Sequence, residues 1–273
     1  MVSLMTLALG GCSNAAASYD VSAIGPKIHV GIVTDEPGIG FVRSGQYSGL
    51  DVDVARYIIH ELGYVPSEIV WHGVRPSNRE QMLEKGQVDM VVGSYSITQE
   101  RRQAVDFAGP YFIAGQDLLV RKGDTQYQSV EDLGQARVCT VEGSTAAQNL
   151  QTYAPQAQVE PRQGIAVCIT ALLTGEVDAV SDDDMVLAGQ AHVSGGGLVR
   201  LVGNPFTQEH YGVAVRKGQP TLVAQINAAL NSMMTDGSWQ RSVSQAADSI
   251  AYRLRPGDHK PSKLDGSPSK PAR

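Results

Sequence analysis

With 273 residues, 42% apolar and 18% charged, the chain has a globular composition and enough length for two ordinary domains. The net charge of −6 is uneven: residues 254–273 carry five Lys/Arg and two Asp, leaving the remainder at −9, which argues against a nucleic acid as partner. No stretch approaches the roughly 20 apolar residues of a membrane span. The six histidines (29, 60, 72, 192, 210 and 259) lack metal-ligand spacing, so neither a metal nor a cofactor is expected.

From the N-terminus, the apolar run Val2–Leu9 leads into Leu9-Gly10-Gly11-Cys12. Small residues before a cysteine at the end of such a run resemble a bacterial lipobox, whose cysteine carries the lipid. No Lys or Arg precedes Cys12, so an upstream start codon is expected. Residues 1–12 are thus read as a lipoprotein signal and 13–26, rich in Ala and Ser, as a tether.

Beyond the tether, strands and helices alternate. Lys27–Val33 predicts a strand. Asp51 is placed to cap a helix with the apolar face Val54, Ala55, Ile58, Ile59 and Leu62, closed by Gly63. Ile69–Trp71 predicts a strand, Ser77-Asn78-Arg79-Glu80 has capping-box spacing for a helix stopping at Gly86, and Val88–Val92 predicts a third strand. The second half restarts: strand Ala136–Val141, helix Thr145–Tyr153, strand Gln158–Glu160, helix Ile165–Thr174, strand Val177–Val180. The echo of Gly86-Gln87-Val88-Asp89 in Gly175-Glu176-Val177-Asp178 points to two similar α/β modules. A last helix is expected near Thr221–Thr235, and 254–273, with Pro, Ser, Gly and Lys, as a disordered tail. Cys139 and Cys168 are an even pair and a disulfide candidate in an exported protein; two buried free thiols are the alternative.

Ligands of open α/β sheets collect beyond the carboxyl ends of the strands, and three polar loops fall there. Gly93-Ser94-Tyr95-Ser96-Ile97-Thr98 precedes Arg101, whose guanidinium, set against a helix dipole, gains by meeting a carboxylate. Glu142-Gly143-Ser144-Thr145 opens a helix and offers N–H groups and hydroxyls to an anion, without the pattern of a nucleotide-binding loop. Ser181-Asp182-Asp183-Asp184 supplies carboxylates for an ammonium or for a helix cap. Together they complement a zwitterionic amino acid.

At these residues the chain resembles the polar amino-acid members of the bacterial extracellular solute-binding protein family 3. The resemblance is carried by Tyr47-Ser48-Gly49-Leu50-Asp51-Val52-Asp53-Val54-Ala55, by Val88-Asp89-Met90 with Ser94-Tyr95-Ser96-Ile97-Thr98 and Arg101, by Asp106-Phe107 with Gly109-Pro110-Tyr111, and by Tyr211-Gly212-Val213. It spans about 27 to 252. It implies a two-lobed, periplasmic-binding-protein-like type II α/β fold with two crossing hinge segments, at 113–116 and 208–211. Lobe 1 is expected over 27–112 and 212–253, and lobe 2 over 117–207. It also implies a monomeric, non-enzymatic binding component of an ABC importer, partnered by a permease and lipid-anchored on the outer face of the bacterial cell membrane.

The implied ligand residues are Arg101 for the α-carboxylate, Ser144 and Thr145 as helix-start donors, Asp183 for the ammonium, and the loop residues Ser94, Tyr95 and Ser96. Arg79, within Pro76-Ser77-Asn78-Arg79-Glu80, resembles the residue that reaches a side-chain carboxylate in the glutamate/aspartate branch. Glu36 would repel such a side chain if it faced the cleft, which keeps glutamine and asparagine as the second choice. The cysteine pair and the lipobox recur in Gram-positive glutamate-binding relatives. Two other functions use the same fold: an amino-acid sensor for a membrane signalling partner, and a cyclohexadienyl-dehydratase-like enzyme with Glu36 or Glu142 as general acid.

Overall fold

The structure is a computed structural model that describes residues 25–254, 257, 259–266, 268 and 270–271. Cys12, the signal and most of the tether lie outside the described residues.

The first module opens with β1 (Ile28–Val33), followed by the small antiparallel set β2 (Asp35–Glu36), β3 (Gly40–Arg43) and β4 (Gln46–Ser48). Helix α1 (Leu50–Glu61) buries Val54, Ala55, Ile58 and Ile59, the face its periodicity predicts. Its cap differs from expectation. Gly49 is the N-cap, while the fully buried Asp51 turns inward and accepts bonds from the Tyr111 hydroxyl (2.6 Å) and the Ser94 N–H (2.7 Å). Next come β5 (Ile69–Val74), α2 (Arg79–Glu84), β6 (Met90–Val91) and α3 (Arg101–Ala104). No capping box forms at α2: the Asn78 carboxamide oxygen accepts from the Arg75 N–H, and Glu80 accepts from the Tyr95 hydroxyl.

Strand β7 (Val105–Ala114) then leads through Gly115 into β8 (Gln116–Arg121), which belongs to the second sheet. That module continues with β9 (Arg137–Val141), α4 (Ala146–Tyr153), β10 (Gln158–Arg162), α5 (Ile165–Thr174), β11 (Ala179–Asp183), α6 (Asp184–Val193) and β12 (Val199–Leu201). The chain returns along β13 (Thr207–Arg216), antiparallel to β7, and ends with α7 (Pro220–Thr235) and α8 (Ser238–Ser249). Helix α7 packs on β7, α1 and α8, so the closing helices belong to the first module.

The two sheets repeat one topology. The order β5-β1-β6-β13 in the first matches β10-β9-β11-β8 in the second, with parallel pairs first and an antiparallel pair last. The Gly-x-Val-Asp echo has the same job in both. Asp89 accepts the His29 N–H of β1 at 2.7 Å, and Asp178 accepts the Arg137 N–H of β9 at 2.9 Å. In each case the aspartate's own N–H donates back to that residue's carbonyl, which sets the strand's register.

Cys139 of β9 and Cys168 of α5 form a disulfide, with both residues fully buried. Closing a loop of sequence separation 29 removes unfolded-chain entropy worth roughly 3–4 kcal/mol in the loop-closure picture. Reduction, or Cys139→Ser with Cys168→Ser, is therefore expected to lower the melting temperature by several degrees in a scanning calorimeter; an unchanged value would deny the bridge a stabilising role.

The segment expected as a disordered tail makes contacts where it is described. The His259 ring stacks on Phe112, the Ile113 N–H donates to the His259 carbonyl, and β14 (Lys270–Pro271) pairs with β13. Backbone bonds and one ring stack leave no periodicity in a sequence, so composition could not reveal this docking.

Candidate functional site

Beyond the strand ends of both sheets lies one small cavity, and its walls come from both modules. Glu36, Pro76, Arg79, Ser94, Ser96 and Arg101 face Val141, Ser144, Thr145, Ala146, Asp182 and Asp183. The lobes meet around it. Gln190 donates from Nε2 to the Asp35 carbonyl, and Arg75 reaches Gln163 at 3.3 Å. The structure is thus the closed arrangement.

At one end, Arg101 donates to the Ser96 carbonyl and, across the cleft, to the Gly143 carbonyl, both at 2.8 Å. Its N–H is held by the Thr98 hydroxyl at 3.1 Å. Burial, then the neighbouring Arg79, holds its pKa down at about 10. Asp183, at the end of β11, accepts a 2.5 Å bond from the Tyr211 hydroxyl. Tyr211 is bridged in turn to Ser96. Burial pushes the Asp183 carboxyl well up, and the Glu209 and Asp182 charges push it further. Such a carboxyl gains by receiving a cation.

At the other end, Arg79 is buried, donates to the Gly93 carbonyl at 2.9 Å, and lies 3.5 Å over the Tyr95 ring. Its Nε has no partner. Next along that loop, Ser94 sits at φ 43°, a left-handed backbone held by the Asp51 bond, and its hydroxyl donates to Glu36 Oε1 at 3.1 Å. Glu36 Oε2 is buried without a partner. Asp182 lies between the two ends; burial above all raises it to about 7. The cavity therefore holds two guanidiniums bonded to backbone carbonyls, an unpaired carboxyl oxygen and two further acids. It is built to take a small molecule with groups of both charges.

The family model for bacterial extracellular solute-binding proteins, family 3, matches residues 28–246. The chain belongs to that family. A glutamate-binding protein, GluB, of Corynebacterium efficiens is 36% identical over 85% of this chain and 83% of its own length. The ABC transporter glutamine-binding protein GlnH of Bacillus subtilis is 39% identical over 78% of each chain. Among solved structures, an ancestral arginine-binding protein bound to arginine superposes with a TM-score of 0.76 at 32% identity, covering 81% of this chain and 98% of that one. All three are named as amino-acid-binding proteins, and the family is described as extracellular.

For this family 3 chain, the structure brings Arg79, Ser94, Ser96, Arg101, Ser144, Thr145 and Asp183 to one cavity. Tyr95 is fully buried beneath it instead, a platform under Arg79 and, at 5.0 Å, Arg101. The triple Asp divides: Asp182 and Asp183 line the cavity, while Asp184 turns away to the Met185 N–H and the Tyr252 hydroxyl. Glu142 is exposed and lies outside the cavity; Glu36 lines it. Sequence reasoning missed Glu209, Gln116 and Asn149. The Asn149 amide donates to both of the others, and Thr145 donates to Glu209 at 3.2 Å, so this buried net fixes the start of α4. Among the described residues no group of His, Cys, Asp or Glu is arranged to hold a metal ion, and no helix is long and apolar enough to cross a membrane.

Proposed function

We propose that this protein captures glutamate or glutamine outside the cytoplasm and presents it, in the closed form, to the permease of an ABC importer. The observation that carries this is the pairing of Arg101 with Asp183 in one interlobe cavity. Arg101 would take the α-carboxylate with help from Ser96, Ser144 and Thr145; Asp183 would take the ammonium; the side chain would run toward Arg79 and Ser94. The names of the two curated relatives support an amino acid of that size. Lobe 1 over 27–112 and 212–253 would rotate against lobe 2 over 117–207. A lipid on Cys12 would hold the monomer at the outer face of the cell membrane. We infer binding without turnover.

A thermal-shift screen of the proteinogenic amino acids tests this, since a ligand that binds only the folded state raises the melting temperature. L-Glutamate or L-glutamine is expected to give the largest rise, and no rise with any amino acid would overturn the proposal. Calorimetry in two buffers adds a second readout. An arriving ammonium favours the ionised Asp183, whose pKa burial and then the Glu209 and Asp182 charges hold high, so binding releases a proton and weakens as the pH falls.

A further inference from the structure

We propose that Glu36 is the specificity-determining residue of the cavity: its unpartnered Oε2 accepts an N–H from the ligand's side chain, so the side chain it selects is a carboxamide, not a carboxylate. This rests on the amino-acid-binding function proposed above and narrows it to glutamine.

The cavity has two ends, and adjacent residues of one loop tie each together. Arg101, Ser96, Tyr211 and Asp183 make the end suited to the α-carbon groups. Arg79, Gly93, Ser94 and Glu36 make the other, since Arg79 bonds the Gly93 carbonyl and Ser94 bonds Glu36. A side chain reaching that second end meets a guanidinium with a free Nε and a carboxyl oxygen with no partner. An oxygen of the ligand satisfies the first; only a hydrogen-bond donor satisfies the second. A carboxamide presents both on one carbon, and a carboxylate presents none of the donor.

Charge decides the same way. Glu36 is 6% exposed, and Asp182, Asp35 and Asp51 surround it. Arg79 interacts with both Asp182 and Asp51, so its positive charge is already shared. A ligand carboxylate would add one more buried anion beside Glu36. Burial and then the Asp182 charge already push the Glu36 carboxyl well up, so glutamate would have to bind with Glu36 protonated, whereas a carboxamide N–H meets the ionised form. Asp35 does not compete for this place: its carboxylate accepts from the Ile165 N–H at the start of α5.

Titration calorimetry of the wild type and of Glu36→Gln with L-glutamine and L-glutamate tests the inference. The wild type should prefer glutamine by about tenfold or more, the scale of a hydrogen bond to a charged group. In Glu36→Gln the new amide donates to a ligand oxygen, so the preference should fall by about tenfold or reverse. The wild type also gives a check free of any folding defect. Burial and the Asp182 charge raise the Glu36 carboxyl, so the glutamine-to-glutamate ratio should narrow as the pH falls, and that narrowing should be lost in Glu36→Gln, where Asp51, Asp182 and Asp183 still titrate. A ratio that neither the substitution nor pH moves would overturn the role of Glu36 while leaving amino-acid binding intact. A wild type that binds neither ligand would overturn the proposed function itself.

Discussion

Arg101→Ala is expected to weaken amino-acid binding by about a hundredfold or more, with the melting temperature of the unliganded protein much less affected. Arg101 touches both lobes, through the Ser96 and Gly143 carbonyls, and its remaining capacity faces the cavity. Removing it deletes a buried, charge-assisted bond to the ligand carboxylate and leaves that carboxylate desolvated, a loss in the range measured for buried charged pairs. It also removes the cross-cleft bond to Gly143, which exists only when the lobes meet. Arg101→Lys should recover little, because one ammonium cannot reproduce a planar fork that spans two carbonyls and a carboxylate. Calorimetry on both variants, with a melting curve of each without ligand, is the measurement. Binding by Arg101→Ala within a few-fold of wild type would remove Arg101 from the site.

Much of this architecture is legible in the sequence because it repeats. The Gly-x-Val-Asp echo marks corresponding places in two sheets, and the structure gives it one physical cause, an aspartate bonded to β1 in one and to β9 in the other. The helix of Val54, Ala55, Ile58 and Ile59 and the placing of Ser144 and Thr145 beside the cavity also follow from spacing and from position after a strand. What stayed hidden is decided by residues far apart in the chain. Asp51 satisfies every local rule for a cap, yet Tyr111 and Ser94 draw it into the core. Tyr95 lies between two cavity serines in sequence, but the loop turned by the left-handed Ser94 sends it beneath them, under the guanidiniums. Glu209, Gln116 and Asn149 make a net across three elements that no motif encodes.

The orientation of Arg79 shows the same limit in a case that bears on ligand choice. A sequence can place a cation near a cleft, but its bonds decide how much of its charge reaches the ligand. Arg79 gives one donor to the Gly93 carbonyl, lies flat on Tyr95, and feels both Asp51 and Asp182. An arginine committed in this way polarises an oxygen without demanding a full anion. On the proposal above, Glu36 beside Arg79 would tip the choice between glutamate and glutamine toward the amide.

Gly189→Ala should impair closure without touching any residue that lines the cavity. Gly189 lies inside α6, where alanine is the better helix former, so the second lobe itself should be no less stable. A Cβ at this position, however, would lie 2.0 Å from the Pro37 carbonyl oxygen of the other lobe. That oxygen belongs to backbone and cannot swing aside, so the lobes must part. With them goes the adjacent bond from Gln190 to the Asp35 carbonyl. A ligand can hold the closed state only by its differential affinity for it, so any free energy added to closure is taken directly from binding. The expected result is ligand affinity lower by about tenfold or more, an unliganded melting temperature equal to or above wild type, and a larger radius of gyration than wild type by small-angle scattering at saturating ligand. If the variant binds and compacts like wild type, the Pro37 contact is not part of the bound state, and the closed arrangement of this structure is tighter than the one the ligand requires.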